Sequence, residues 1–101
     1  MLKPLNPIAR SLAPYLQRLA DKLGLDTRGM SLSVSARTLS PHTIGGVIYL
    51  PVLSLKVLPR VFVHEWQHAR DGLDGVSMPF EEMEARAQRT EQRFLTARVR
   101  A

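Results

Sequence analysis

Residues 64–68 read His-Glu-Trp-Gln-His, and the four-residue interval between the two histidines restricts the fold more than any other feature of the chain. On a helix, positions four apart project from the same face one turn apart. From there two imidazoles can reach one ion at about 2.0–2.1 Å each, as zinc requires. Glu65 lies beside His64 on that face, close enough to polarise a metal-bound water without being a ligand. Five residues thus supply two ligands and a base. Val61 shares the metal face, while Phe62, Trp66 and Ala69 fall on a side suited to core packing. Apolar anchoring of that kind gives a catalytic helix the rigidity it needs. The plainer alternative leaves both histidines exposed, with Glu65 pairing Arg60 or Arg70.

The remaining ligands must come from a short list. The chain has 101 residues and no cysteine, which excludes a disulfide scaffold, a thiolate zinc site and a cysteine nucleophile. Any metal site is therefore built from His, Asp and Glu, whose N and O donors suit zinc in a hydrolytic role. The length points to a single domain over residues 1–101 with one modest core. In a domain this small, a bound metal contributes noticeably to the folded state. The first seven residues lack an unbroken apolar run and carry Pro4 and Pro7, unlike a secretory signal. The longest apolar stretch, residues 47–58, is broken by Pro51, Ser54 and Lys56, so no membrane span is expected. A soluble, cytoplasmic protein with no membrane partner is the expectation.

Along the chain, Asn6 and Pro7 form a helix start, with Asn as cap and Pro at the first position. Ile8, Leu12, Tyr15, Leu16, Leu19 and Leu23 then recur at helical spacing, and Gly24 is a natural stop. Pro14 is expected to kink or divide this helix. Arg10, Arg18, Asp21 and Lys22 form its solvated face. Residues 30–36 switch to period two, with Leu32 and Val34 on one side, and predict a half-buried strand. Pro41 and the Gly45-Gly46 pair mark turns, and residues 47–50 read as a second strand ended by Pro51. Segment 52–57 is ambiguous. A helix is predicted from about residue 58 to 71, and a last one, rich in Glu, Arg, Ala and Gln, from about 79 to 98. The order is helix, two or three strands, helix, helix.

Catalytic zinc usually has three protein ligands and one open position. The best third donor is Glu84, in Phe-Glu-Glu-Met-Glu-Ala-Arg-Ala (residues 80–87), with a Gly-rich turn before it that lets the last helix fold back. A helix bearing HExxH, followed shortly by a helix with a Glu-Ala pair, resembles the gluzincin metallopeptidases, and the short length resembles their compact members, the minigluzincins. The resemblance covers residues 46–95. It implies an α+β, zincin-like fold, with a small twisted sheet, an N-terminal helix, the motif helix and a C-terminal glutamate helix. It implies further that His64, His68 and Glu84 bind one zinc ion and that Glu65 is the general base in hydrolysis of a polypeptide substrate. Strand 46–50 would lie at the cleft edge, where an extended substrate pairs.

The sequence departs from that family in two respects. Thermolysin-like gluzincins have an aspartate four residues after the glutamate ligand to orient the first histidine, and here that position is Gln88. No separate subdomain supplies a transition-state stabiliser. His42 and Tyr49 are candidates for that role, against the simpler reading of a turn histidine and a packed strand tyrosine. Two other third ligands stay open. Asp74 lies six residues after His68, the metzincin offset, although that family needs glycine where Asp71 stands. Glu81 shares a helix face with Glu84.

The net charge is +5, and 11 of the 14 basic residues are arginine. Attraction to acidic partners, nucleic acid included, is one reading, and a GC-rich coding sequence is the other. On the last helix Arg86, Arg89, Arg93 and Arg100 fall near one stripe, with Arg98 close by. No aromatic residues interleave to stack on bases. The stripe is thus either a solvated face or an acid-binding strip. The alternative to a peptidase is accordingly a basic binding module with a structural or inactive zinc site that contacts nucleic acid. In the peptidase reading, the basic tail at residues 96–101 is a candidate for holding the enzyme latent.

Overall fold

A computed structural model describes the backbone over residues 1–100 and the side chains over residues 1–96. The elements are β1 (Lys3–Pro4), α1 (Pro7–Leu23), β2 (Ser31–Val34), β3 (His42–Ile44), β4 (Val47–Leu50), α2 (Leu58–Leu73) and α3 (Phe80–Arg100). The four strands form one mixed sheet in the order β1-β2-β4-β3. β1, β2 and β4 run parallel, and β3 runs antiparallel to β4. Three helices and a small mixed sheet make an α+β architecture.

α1 starts where Asn6 and Pro7 predict. The Asn6 side chain accepts the Ala9 N–H at 3.0 Å, satisfying a helix-start donor that would otherwise be free. The same oxygen accepts the Val34 N–H, and the amide donates to Ser33, so the cap also fastens the helix to the end of β2. Gly24 closes the helix in a left-handed conformation, φ 70°. Pro14 does not divide it: the helix is continuous from Pro7 to Leu23. Pro14 lies on the exposed side, where the Arg10 carbonyl it leaves without a partner has access to water. The buried stripe is Ala9, Ala13, Leu16 and Ala20, rotated from the predicted Leu-rich one. Ile8 and Tyr15 are exposed, while Leu12, Leu19 and Leu23 flank the core. Alanines on the inner face let the helix approach the sheet closely.

β2 and β4 alternate as predicted, with Leu32, Val34, Ile48 and Leu50 buried. β3 arises from the Gly45-Gly46 turn. Ile44 pairs with Val47 across these two residues, and φ is 55° and 80° at the two glycines. Positive φ at both central positions suits the right-handed twist of a tight hairpin, and glycine adopts it without steric cost. β3 is therefore the outer strand and β4 an inner one. The expectation that strand 46–50 forms the cleft edge is corrected: β2 and β3 take both sides of β4, and the open edge belongs to residues 42–44.

α2 lies across the sheet, and α3 folds back along it. Leu58, Phe62, Val63, Trp66 and Ala69 on the back of the motif helix join Leu16, Met30 and Ile48 in one buried core cluster. The Trp66 indole N–H donates to the Asp26 carbonyl at 2.7 Å, giving the large side chain a fixed orientation. Polar ties hold α2 to α3. Asp71, 1% exposed, accepts two bonds from the Arg86 guanidinium at 2.8 and 3.1 Å and one from Gln67. The Thr90 hydroxyl donates to Gln67 at 2.6 Å. No helix among the described residues is long and apolar enough to cross a membrane.

Candidate metal centre

The geometry of the centre follows from the rotation of α3 on α2. Ala87, Thr90 and Phe94 are buried, which turns the face carrying Glu84 and Glu91 toward the motif helix. Glu84 Oε1 lies 2.6 Å from His68 Nε2 and 3.3 Å from His64 Nε2. One ligand atom from each of the three residues lies within 4.8 Å of the others. The two imidazole rings stand edge to face with centroids 5.1 Å apart. The histidine side chains are 18% and 15% exposed, shielded enough to be held and open enough to be reached.

Whether these residues suit a metal can be judged from their protons. Glu91 Oε1 lies 3.0 Å from His64 Nδ1. A carboxylate only accepts, so Nδ1 carries the hydrogen, and in the neutral ring Nε2 presents a lone pair. That lone pair faces the Glu84 oxygen, so two acceptors meet at the centre, as a cation requires. The 2.6 Å contact of His68 with Glu84 is a charge-assisted hydrogen bond, whose proton must leave before a metal is bound. Burial pushes the Glu84 carboxyl up, but the hydrogen bond from His68 and then the contact with His64 outweigh it and hold the group below its ordinary value. Two nitrogens and one carboxylate oxygen form a donor set that could hold a metal ion.

Glu65 is buried and belongs to the other side of the centre. The Thr43 hydroxyl, on β3, donates to Glu65 Oε1 at 2.9 Å. Glu65 thus pairs with neither Arg60 nor Arg70: Arg60 lies 3.6 Å from Glu91, and Arg70 bridges Asp74 and Asp26. A cleft of about 470 Å³ opens between the β3–β4 hairpin and the start of α3. Glu65, His68 and Glu84 line it with His42, Phe80 and Met83. His64 lines a second depression, with Gln88, Arg89 and Arg93.

The other candidates lie elsewhere. Asp74 is half exposed at the end of α2, 3.1 Å from Arg70, and Glu81 is exposed in the first turn of α3; neither joins the cluster. His42 lines the cleft and stacks on Tyr49, with centroids 4.8 Å apart. Of the arginine stripe, Arg86 is tied to Asp71, Arg89 and Arg93 are exposed, and the side chains of Arg98 and Arg100 lie outside the described ones, as do most side chains of the 96–101 tail.

Two residues of the site escaped sequence reasoning. Gln88 is exposed and does not orient His64; Glu91, one turn further on, does so instead. Its signal was present, since Glu84, Gln88 and Glu91 follow one another at helical spacing. Thr43 left no signal, because only the hairpin brings it to Glu65. Comparison of the chain with family models, with curated proteins and with solved structures finds no match.

Proposed function

We propose that the chain is a small zinc-dependent peptidase of zincin-like fold, with His64, His68 and Glu84 as ligands and Glu65 as general base. The observation that carries this reading is the convergence of the three ligand atoms within 4.8 Å beside a cleft that Glu65 also lines. A zinc ion held by His64, His68 and Glu84 would lower the pKa of a water toward about 7 and polarise a carbonyl oxygen. Glu65 takes the proton from the attacking water and passes it to the leaving amine. Thr43 fixes the plane of that carboxylate, and Glu91 keeps the His64 lone pair turned toward the centre. The free edge of β3 offers main-chain groups to an extended polypeptide, which would lie along the cleft by strand addition. His42, in the same cleft, gives its Nδ1 hydrogen to the Ser40 carbonyl at 2.9 Å, so it would donate to a substrate carbonyl only as the imidazolium.

A second reading is favoured by the Asp71–Arg86 and Gln67–Thr90 ties, which already join α2 to α3. Zinc would then be one more staple between the helices of a basic binding module. Zinc content and peptide turnover, measured on the wild type, Glu84→Ala and Glu65→Gln, separate the readings. A peptidase binds about one zinc per chain, loses metal in Glu84→Ala, and keeps metal but loses turnover in Glu65→Gln. Zinc uptake without turnover of a peptide library leaves the staple, and no uptake even with added metal removes both.

A further inference from the structure

We infer that the end of the molecule where β1, β2 and β4 finish is a docking surface for an anionic lipid bilayer. The parallel strands release the chain side by side there. The Leu5 N–H bonds the Leu32 carbonyl, and the Ser35 N–H bonds the Leu50 carbonyl, so the exits from β1, β2 and β4 are adjacent. α1 and α2 both begin at this end. Of the aliphatic side chains at these exits, Leu53 packs against the core, and most of the others do not turn inward. Leu5, Ile8, Leu39, Val52, Leu55 and Val57 are all exposed, Leu39 at 97% and Leu55 at 65%. A side chain as exposed as Leu39 stands clear of the protein and cannot be the wall of a groove.

The charges decide what covers this end. No Asp or Glu occurs in residues 1–20 or 27–64, whereas Arg10, Arg37 and Lys56 stand among the exposed aliphatics. Glu91, which approaches along α3, is engaged by His64 and Arg60. The exposed acids lie at the opposite end, at the finish of α1 and α2 and the start of α3: Asp21, Asp74, Glu81 and Glu82. A second copy meeting this face about a two-fold axis would bring two faces of the same positive sign together. A bilayer with anionic headgroups accepts both components, aliphatic tips at the acyl boundary and cations among the phosphates. No shape complementarity is needed, which suits side chains standing on three separate loops and the first turn of α1.

Co-sedimentation of the wild-type protein with vesicles of phosphatidylcholine alone, and of phosphatidylcholine with phosphatidylglycerol, tests this. Binding to the anionic vesicles only is expected. Neutralising two cations in Arg37→Gln/Lys56→Gln lowers partitioning about thirtyfold, and Leu39→Ser/Leu55→Ser, changed at exposed positions, abolishes it while circular dichroism is unchanged. Equal binding to both vesicles, or none, overturns the inference. So does a loss on neutralisation that the leucine variant does not share, which would mean attraction by charge alone. Concentration-dependent dimerisation without lipid that Leu39→Ser/Leu55→Ser removes would assign the surface to a second copy.

Discussion

Glu91 reaches His64 from a helix that the five-residue motif does not contain, its Oε1 3.0 Å from the Nδ1 of the histidine. The contact fixes which ring nitrogen keeps its hydrogen, and so which one can meet a cation. In Glu91→Ala the ring loses this support, while Arg60, an exposed side chain 3.6 Å from the other carboxylate oxygen, is freed into water. Zinc affinity should fall by roughly 10–100-fold with the fold intact, read by competition against a chromophoric chelator. An affinity within about twofold of wild type would show that Glu91 does not orient the histidine.

The pair that locks α2 to α3 should respond asymmetrically. Asp71 is almost fully buried, whereas the Arg86 side chain is 39% exposed. Arg86→Ala leaves a carboxylate inside the protein with Gln67 as its remaining side-chain donor, at a cost of about 3–5 kcal/mol. Asp71→Ala leaves a guanidinium that can turn to water, so its cost is nearer about 1–3 kcal/mol. Urea unfolding of the two variants reads the difference directly. Equal losses would mean that the helix pair is held by packing and not by this bond.

Much of this arrangement is legible in the sequence, and the missing parts share a cause. The motif helix, its apolar back and the strands at 31–34 and 47–50 follow from periodicity, because each is long or regular enough to show it. β1 and β3 span two and three residues, too few for a pattern, and exist through partners distant in sequence. The sequence cannot choose among Glu84, Glu81 and Asp74, since all lie within reach of a helix that folds back. The choice depends on how α3 is rotated, which Ala87, Thr90 and Phe94 set by burial. Asp71 has no signal of its own in the sequence, because its role is a tertiary one, with Arg86 fifteen residues away.

Asp26 provides a titration on the opposite side of the motif helix. Its side-chain hydrogen bond with Arg28, a backbone bond to the same residue and the nearby Arg28 and Arg70 charges hold its carboxyl at about 2, against 3.8 for a free one. The folded value is the lower one, so the stability it contributes is present above about 4 and is lost as pH falls toward about 2. The side chain is 39% exposed, so the contribution to unfolding is screened and small, and the carboxyl carbon signal followed by NMR is the better measurement. In Arg28→Ala the titration should move up toward the ordinary carboxylate range. An unchanged midpoint would transfer the effect to Arg70.

The hairpin that carries Thr43 to Glu65 depends on two glycines that should differ under substitution. Both have positive φ, 55° at Gly45 and 80° at Gly46. A Cβ at Gly45 would meet nothing within 4 Å, whereas one at Gly46 would lie 2.8 Å from a Leu73 methyl and 3.3 Å from the Gly29 carbonyl oxygen. The leucine can shift, but the carbonyl is backbone, so Gly46→Ala combines left-handed strain with crowding and should cost about 2–3 kcal/mol. Gly45→Asn, the residue favoured at the first position of this turn, should be within about 0.5 kcal/mol of wild type. Because the hairpin positions Thr43, Gly46→Ala should also loosen the bond to Glu65 and lower peptide turnover more than zinc content. Thermal unfolding of the two variants, with zinc content and turnover measured on the same preparations, checks both steps. Equal unfolding temperatures for the two variants would mean that Leu73 and its surroundings give way, leaving the turn to set φ and nothing more.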